Sequence, residues 1–467
     1  ARIEKRGRLG WTVTEPAAPY LLRSDIELSS ADGRSVSGGA RIAQGERRYV
    51  SLSYTGRDTA VIPCIGKESD DKLDYSIRWW RAWSTQCSYE GPFKDAVLRS
   101  ALALKALQFA LSGAVIAAAT SSLPEAIGAE RNWDYRYCWL RDASFTLLAF
   151  TDTGFFSEGA AFFNWLMHIT RMTHPTLQPL YSIYGLTRLQ EAELAHLEGY
   201  QGSRPVRIGN GAYDQLQLDT YGSLIAAAAD FVERGNRLSP VEGTRLARLG
   251  ETVCRIWREP DNGIWEFRKG RAQNTWSKVM CWSSLDNLLK LHDSGALKLD
   301  RPRFEREREA LFRTINEQHF DKEMNSFVGA AGEKFLDATL LLLPRYGFID
   351  ANDPRMLGTW RQIEKRLQHE GLIRRYDEGT DSMSGSEGAF VICSFWAVTY
   401  LAQAGRVSEA KERMQSLLAR ANDVGLFSEE IDARSGAFLG NFPQAFSHSG
   451  VINAALAIAV AEKRERQ

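Results

Sequence analysis

The chain has 467 residues, enough to bury one large core or two smaller ones. Lys plus Arg and Asp plus Glu number 58 each, and this balance removes the electrostatic argument for nucleic acid or an anionic membrane as partner. The six cysteines (Cys64, Cys87, Cys138, Cys254, Cys281, Cys393) show no CxxC and no Cys/His pair at metal spacing, which sets aside a disulfide framework and a zinc site.

Residues 1–65 read as β: Arg48–Tyr54 alternates, and Thr59–Pro63 is a short β-branched run closed by proline. This is too little strand to close an independent sandwich, so the expectation is the remnant of a larger β domain. Residues 66–92 read as a charged connection with a Trp-rich helix, Ser76–Trp83. From 93 to 467 the pattern is helical, with amphipathic helices expected over roughly 94–112, 142–154, 157–172, 214–234, 240–258, 276–293, 302–319, 334–345, 354–369, 387–404, 406–421 and 447–463. About twelve helices with few strands between them match six helical hairpins closed in a ring, and the absence of a fixed repeat speaks against a solenoid. Asp142 is expected to cap one helix, Pro240 to open one, Gly405 to separate two and Glu387 to open another. The apolar stretch Leu102–Ala119 carries Lys105 and Gln108 and reads as a core helix. No signal peptide is visible, so the expected location is cytoplasmic; the first residue is Ala, not Met, which leaves export open.

Tryptophan is enriched, and its flat ring suits the apolar C–H face of a sugar. Several constellations fit that chemistry. In Glu130–Asp142, Trp133, Tyr135, Tyr137, Trp139 and Arg141 occupy alternate positions and share one face if the segment is extended, with Arg141 and Asp142 placed to grip adjacent hydroxyls. A buried aromatic stripe with an Arg–Asp pair explains the same pattern. In Asp261–Gly270, Glu266 stands between Trp265 and Phe267; a carboxyl against aromatic surface has a raised pKa and suits proton donation, which Arg268 would oppose. Glu429 and Glu430 offer a base to activate water, and His448 a hydrogen-bond donor, although loop acids are commonly solvated and lone histidines commonly structural. Arg204 and Arg207 lie in a rigid loop and clamp either hydroxyls or the loop itself. Nucleotide, metalloprotease and serine-hydrolase motifs do not occur.

The motifs at 130–142, His196–Asn210, Ile264–Arg268, Ser428–Asp432 and Asn441–His448 resemble glycoside hydrolase family 15, which holds glucoamylases, glucodextranases and bacterial trehalases. The resemblance runs over about residues 92–463 in the right order. It implies a mainly α fold, an (α/α)6 barrel preceded by an antiparallel β-sandwich that here looks truncated, and hydrolysis with inversion and no cofactor or metal. It implies Glu266 as general acid and Glu429, rather than Glu430, as general base. It further implies that Arg141 and Asp142 hold the first glucose with Trp139 beside them, and that Arg204, Trp265 and Arg268 shape the first two subsites; the residues themselves add Trp133, Tyr135, Glu387 and His448 as candidate substrate contacts. An inverting pair leaves room for water between carboxyl groups about 6.5–9.5 Å apart.

The first expectation is an exo-acting α-glucosidase of glucoamylase type on oligosaccharide or disaccharide substrates, with no nucleic-acid or membrane partner and a homo-oligomer left open. An α,α-trehalase is the alternative within the same family, and a non-catalytic carbohydrate-binding relative is a third. A terpene cyclase is weighed only for Asp70–Asp74, a DDxxD match without a second metal motif.

Overall fold

The computed structural model describes all residues except 1, 15–19, 55–61, 63, 269, 382, 384, 386 and 467, and divides into two units, Ala1–Gln86 and Cys87–Gln467. In the first unit, β1 (Arg2–Lys5), β2 (Trp11–Thr14), β3 (Tyr20–Ser24) and β4 (Val50–Tyr54) form one antiparallel sheet in chain order. The register sets Tyr20 opposite Tyr54, with ring centroids 5.5 Å apart. Among the described residues of this unit no second sheet faces the first, so the expected sandwich is not seen. One face of β4 presents Val50, Leu52 and Tyr54 to solvent. Of the Thr59–Pro63 run only Ile62 is among the described residues. Helix α1 (Lys67–Ser84) contains the Trp-rich segment and also belongs to this unit.

The second unit is built from α2 (Lys94–Leu107), α3 (Ala143–Thr151), α4 (Phe156–Ile169), α5 (Asp219–Glu233), α6 (Pro240–Ile256), α7 (Thr275–Asp293), α8 (Arg301–Gln318), α9 (Pro354–Arg366), α10 (Val391–Gln403), α11 (Val407–Leu418) and α12 (Ala445–Glu465). Contacts run from α3 to α5, α5 to α7, α7 to the 3-10 helix Ala338–Leu342, thence to α10, to α12, and back to α3. The remaining helices pack outside this circuit: α4 on α3 and α5, α6 on α5 and α7, α8 on α7, α9 on the 3-10 helix, α11 on α10 and α12, α2 on α12 and α3. Sequence explains the two layers. In α10, Val391 to Ala402 are buried without a break, whereas α8 buries only Phe304, Leu311 and Ile315, one stripe of an otherwise charged helix. The 21-residue α12 is long and apolar for the same reason, being enclosed by α2, α3, α10 and α11.

Several helix starts follow local chemistry. Ser239 and Glu242 form a reciprocal capping box ahead of Pro240. Asp300 and Asp353 cap helices whose first turns contain Pro302 and Pro354, and Gly405 at φ 75° ends α10 before α11. Five expectations need correction. The apolar stretch Leu102–Ala119 is helical only as far as Leu107, where α2 ends. The helix expected at 334–345 is only the short 3-10 helix, because the Asp337 side chain takes the Thr339 N–H and closes a tight turn. α5 begins at Asp219 and not at 214, after a separate 3-10 turn capped by Asn210. Asp142 precedes α3 but its carboxylate does not cap it, being held instead by Arg141 Nε at 2.7 Å. Glu387 does not open α10, which starts at Val391; its carboxylate is paired with arginines ahead of the helix.

Candidate active site

Segments between the helices converge on a cavity whose lining includes Trp133, Tyr135, Arg141, Ile264, Trp265 and Glu266 together with Glu125, Arg131, Arg375, Tyr376 and Asp381. The 261–268 loop is fixed from below by Asp261. This fully buried carboxylate accepts from Leu218 N at 3.0 Å, Ser277 Oγ at 2.7 Å and Asn274 Nδ2 at 3.0 Å. Gly263 at φ 71° turns the chain, and Glu266 itself is held at φ 62°, a left-handed conformation that costs a non-glycine residue roughly 1 kcal/mol or more. The conformation survives because both ends of the residue are tied. Gln215 Nε2 donates to its carbonyl at 3.1 Å, and Trp139 Nε1 donates to its Oε1 at 2.6 Å. Burial pushes the Glu266 carboxyl up, opposed by Arg141 and by the hydrogen bonds from Trp139 and Gln217.

Arg141 connects three parts of this wall. Its Nε donates to Asp142 at 2.7 Å, its Nη1 donates to the Ile264 carbonyl at 3.1 Å, and the same nitrogen lies 3.7 Å from Glu266. The aromatic stretch is not one continuous strand. β6 (Asn132–Asp134) pairs with β5 (Ser121–Pro124), and β7 (Cys138–Trp139) pairs with Leu180–Tyr181, leaving a break at 135–137. Trp133, Tyr135 and Arg141 reach the cavity; Tyr137 packs against a cluster that includes Leu180 and Leu189. Trp133 is held between two guanidinium groups, Arg207 at 4.7 Å and Arg268 at 4.4 Å from its ring centroid. Arg268 pairs with Glu191 at 2.8 Å, so the cation that opposes ionisation-free Glu266 is Arg141 and not the expected Arg268.

Glu429 and Glu430 part company in a three-stranded sheet formed by Ala389–Phe390, Glu430–Ile431 and Phe438–Leu439. Successive side chains point to opposite faces, so adjacent acids meet different surroundings. Glu429 is fully buried; its Oε2 accepts from Asn441 N at 3.1 Å, its Oε1 takes no hydrogen bond among the described residues, and the Tyr135 hydroxyl stands close by. Burial, reinforced by the charge of Glu125, pushes the Glu429 carboxyl up. Tyr135 lines the cavity and stands in edge contact with Trp139, centroids 5.1 Å apart. A chain of contacts Glu266–Trp139–Tyr135–Glu429 therefore joins the two acids, with Glu429 lying one side chain below the cavity wall. Gly440 lets the backbone pass at that point, since a Cβ there would come within 2.4 Å of the Glu429 carboxylate.

Glu430 instead accepts from Gly388 N at 2.9 Å and faces Arg375 at 3.1 Å. Glu125, Glu387 and Glu430 come close enough together to hold a cation, and the Arg375 guanidinium already contacts all three, at 2.8, 2.5 and 3.1 Å. Arg131 completes the group by reaching Glu387 at 2.9 Å and Asp381 at 2.8 Å. Fixed internal cations thus fill the place a metal would take.

The structure therefore brings together Glu266, Trp133, Tyr135, Trp139, Arg141, Asp142, Trp265 and Arg268, with Glu429 behind Tyr135 and Glu387 in the adjoining ion-pair group. It does not bring Arg204 there: that side chain is exposed and outside the cavity lining, while Arg207 is the buried partner of Trp133. His448 is also outside, fully buried in α12 between Ser100 Oγ at 3.0 Å and Phe427 N at 3.2 Å, with burial holding it neutral at about 3. Glu125, Arg131, Arg375 and Tyr376 line the cavity and were not singled out from sequence. Arg131 lies within the 130–142 motif but off its alternating aromatic face, Glu125 stands alone, and Arg375 and Tyr376 lie in a short charged run, Arg374–Asp377, that matches no motif.

The family model described as glycosyl hydrolases family 15 matches residues 91–415 and 402–456. A trehalase of Thermoplasma volcanium is 42% identical over 386 residues, 82% of this chain and 61% of the relative. A trehalase of Mycobacterium tuberculosis is 39% identical over 462 residues, 96% of this chain and 67% of the relative. The chain spans less than two thirds of the length of the Thermoplasma volcanium relative. Among solved structures, a bacterial glucoamylase complexed with acarbose is similar with TM-score 0.73 at 14% identity, covering 96% of this chain and 73% of that one. At that identity the likeness concerns the fold.

Proposed function

Because the chain belongs to glycosyl hydrolases family 15, we propose that it hydrolyses α,α-trehalose, with Glu266 as the general acid and Glu429 as the general base of an inverting reaction. The observation that carries the substrate is the similarity to trehalases, 42% and 39% identical over most of this chain. It favours the trehalase alternative over the glucoamylase-type reading that stood first on sequence. The closed circuit of helices with an outer layer is read as an (α/α)6 barrel, and the segments at one end of it carry the site.

In this reading Trp139, Arg141, Asp142 and Trp265 seat one glucose, while Trp133, Arg268, Arg131 and Asp381 face the other. Glu266 is poised to donate because burial favours its neutral form. The leaving glucose takes that proton on the glycosidic oxygen. A water activated by Glu429 attacks the anomeric carbon from the opposite face, and the proton it loses passes to the Glu429 carboxylate. Tyr135, whose hydroxyl stands close to that carboxylate, must yield enough for water to reach Glu429. The presence of both acids counts against a non-catalytic carbohydrate-binding relative.

A substrate panel tests the reading. The 467-residue chain is expected to release glucose from trehalose in preference to maltose, isomaltose or starch. Release from maltooligosaccharides with none from trehalose would restore the glucoamylase reading.

A further inference from the structure

Glu191 stands beside the cavity and has no part in the reaction outlined above. The segments 189–193 and 207–211 lie against each other. Arg207 pairs with Glu193 in a two-residue antiparallel ladder, and Asn210 N donates to the Leu189 carbonyl at 2.9 Å. Gly209, at φ 75°, passes so close that a Cβ there would come within 2.0 Å of the Gln190 carbonyl oxygen. Asn210 and Ala212 line the cavity, so this packing carries Glu191 to its edge.

Both oxygens of the Glu191 carboxylate are engaged. Arg268 Nη2 donates to Oε2 at 2.8 Å and Arg268 Nη1 to Oε1 at 3.2 Å, Gly211 N donates to Oε2 at 3.1 Å, and Arg207 Nε lies 3.4 Å from Oε1. Both guanidinium groups lie over the Trp133 ring, at 4.7 Å for Arg207 and 4.4 Å for Arg268 from its centroid. The two arginines differ in what else holds them. Arg207 is buried, and its Nη1 donates to the Glu130 and Asn132 carbonyls at 2.7 and 3.1 Å, which ties it to the backbone that carries Trp133. Arg268 lines the cavity with 41% of its side chain exposed, and among the described residues its hydrogen bonds go to Glu191.

An ion pair with one partner so exposed adds little to stability. What it removes is the rotamer freedom of a long side chain at a binding surface, because a guanidinium and a carboxylate meet in one plane through two bonds. The Trp133 ring adds a second restraint on the same cation. We propose that Glu191 is a positioning residue that sets specificity for the second glucose. It acts through Arg268, holding that guanidinium over Trp133 so that the N–H groups not used by Glu191 meet the hydroxyls of the departing sugar. This rests on the trehalase reading, in which that sugar lies against Trp133 and Arg268. A cation free to turn into water would have to be ordered again at each binding event, and that cost falls on KM. Glu266 is held by Trp139 and Gln215 and not by this group, so proton donation is left as it was.

The test measures kcat and KM of wild type, Glu191→Gln, Arg268→Ala and the double variant on trehalose and on α-glucosyl fluoride, which has no second glucose. In Glu191→Gln, kcat/KM for trehalose is expected to fall roughly tenfold or more, mostly through KM, because hydrogen bonds to a charged partner carry about that factor. The fluoride should be hydrolysed at nearly the wild-type rate. Arg268→Ala alters an exposed side chain and should show the same split, which keeps the proposal open to test even where Glu191→Gln does not fold. The double variant should lose little beyond Arg268→Ala, since the effect of Glu191 runs through that arginine. Equal losses on both substrates, an unchanged KM for trehalose, or additive losses in the double variant would overturn the proposal; a merely structural Glu191 gives the first of these. Wild-type enzyme that hydrolyses the fluoride and maltose but not trehalose would remove the trehalase reading and the proposal with it, a failure distinguishable from the others.

Discussion

Glu266→Gln is expected to lower kcat for trehalose by roughly 10²–10⁴-fold while leaving the fold intact. The amide keeps the size of the side chain, and Gln215 and Trp139 hold the residue from both ends. What is lost is the proton for the glycosidic oxygen. The deficit should therefore depend on the leaving group. With α-glucosyl fluoride, whose fluoride departs without protonation, the variant is expected to retain far more of the wild-type rate than with trehalose. Equal losses on both substrates would mean that Glu266 does something other than donate a proton.

The second large effect is expected at Glu429, and its neighbour supplies the control. Glu429→Gln removes the base that activates water, so hydrolysis of trehalose and of α-glucosyl fluoride should fall together, again by roughly 10²–10⁴-fold. Thermal stability should be little lower than wild type, because the amide keeps the shape of the side chain and can still accept from Asn441 N. Glu430→Gln should show the reverse pattern. Glu430 shares Arg375 with Glu125 and Glu387, and loss of its charge unbalances a buried ion-pair group, which lowers Tm more than it lowers kcat. Unfolding curves and kinetics of the two variants side by side check the assignment; loss of turnover in Glu430→Gln with Glu429→Gln active would reverse it. The pH sign follows from the same surroundings. The base must be ionised, and burial together with Glu125 raises its pKa, so the acidic limb of kcat/KM lies above the ordinary glutamate range. Glu125→Gln should move that limb to lower pH.

The helical organisation was legible because a 3.6-residue apolar period is a local property of the chain, and Ser239 with Pro240, Asp300 and Gly405 mark boundaries in the letters themselves. The stretch 334–345 misled because its apolar run, Ala338–Leu343, also suits a 3-10 turn, and the Asp337 cap that decides between them is a single side-chain contact. Within the site, Glu266 and the Trp133–Asp142 stretch were visible because aromatic and acidic residues crowd together in sequence. Arg204 was chosen over Arg207 because both flank Pro205 and nothing local separates them. Arg207 enters a two-residue strand paired with Glu193, and that pairing turns it inward while the apolar Ile208 is exposed, the opposite of what hydropathy suggests. Glu125 and Arg375 are beyond reach of the sequence for a different reason. Glu125 and Arg375 are 250 residues apart, and only the return of the chain around the helical circuit makes them partners. The same closure separates Glu429 from Glu430, since each is defined by what it faces and not by its position.

Inversion by two acids on opposite sides of one glycosidic bond is reported directly by the anomers of freshly released glucose. In α,α-trehalose both anomeric centres are α. Attack by water with inversion at one centre yields one β-glucose, while the departing glucose keeps its configuration, so early proton NMR spectra should show α- and β-glucose in equal amounts before mutarotation. Two α-anomers per trehalose at the earliest times would mean retention, and would contradict a water activated by Glu429 opposite Glu266.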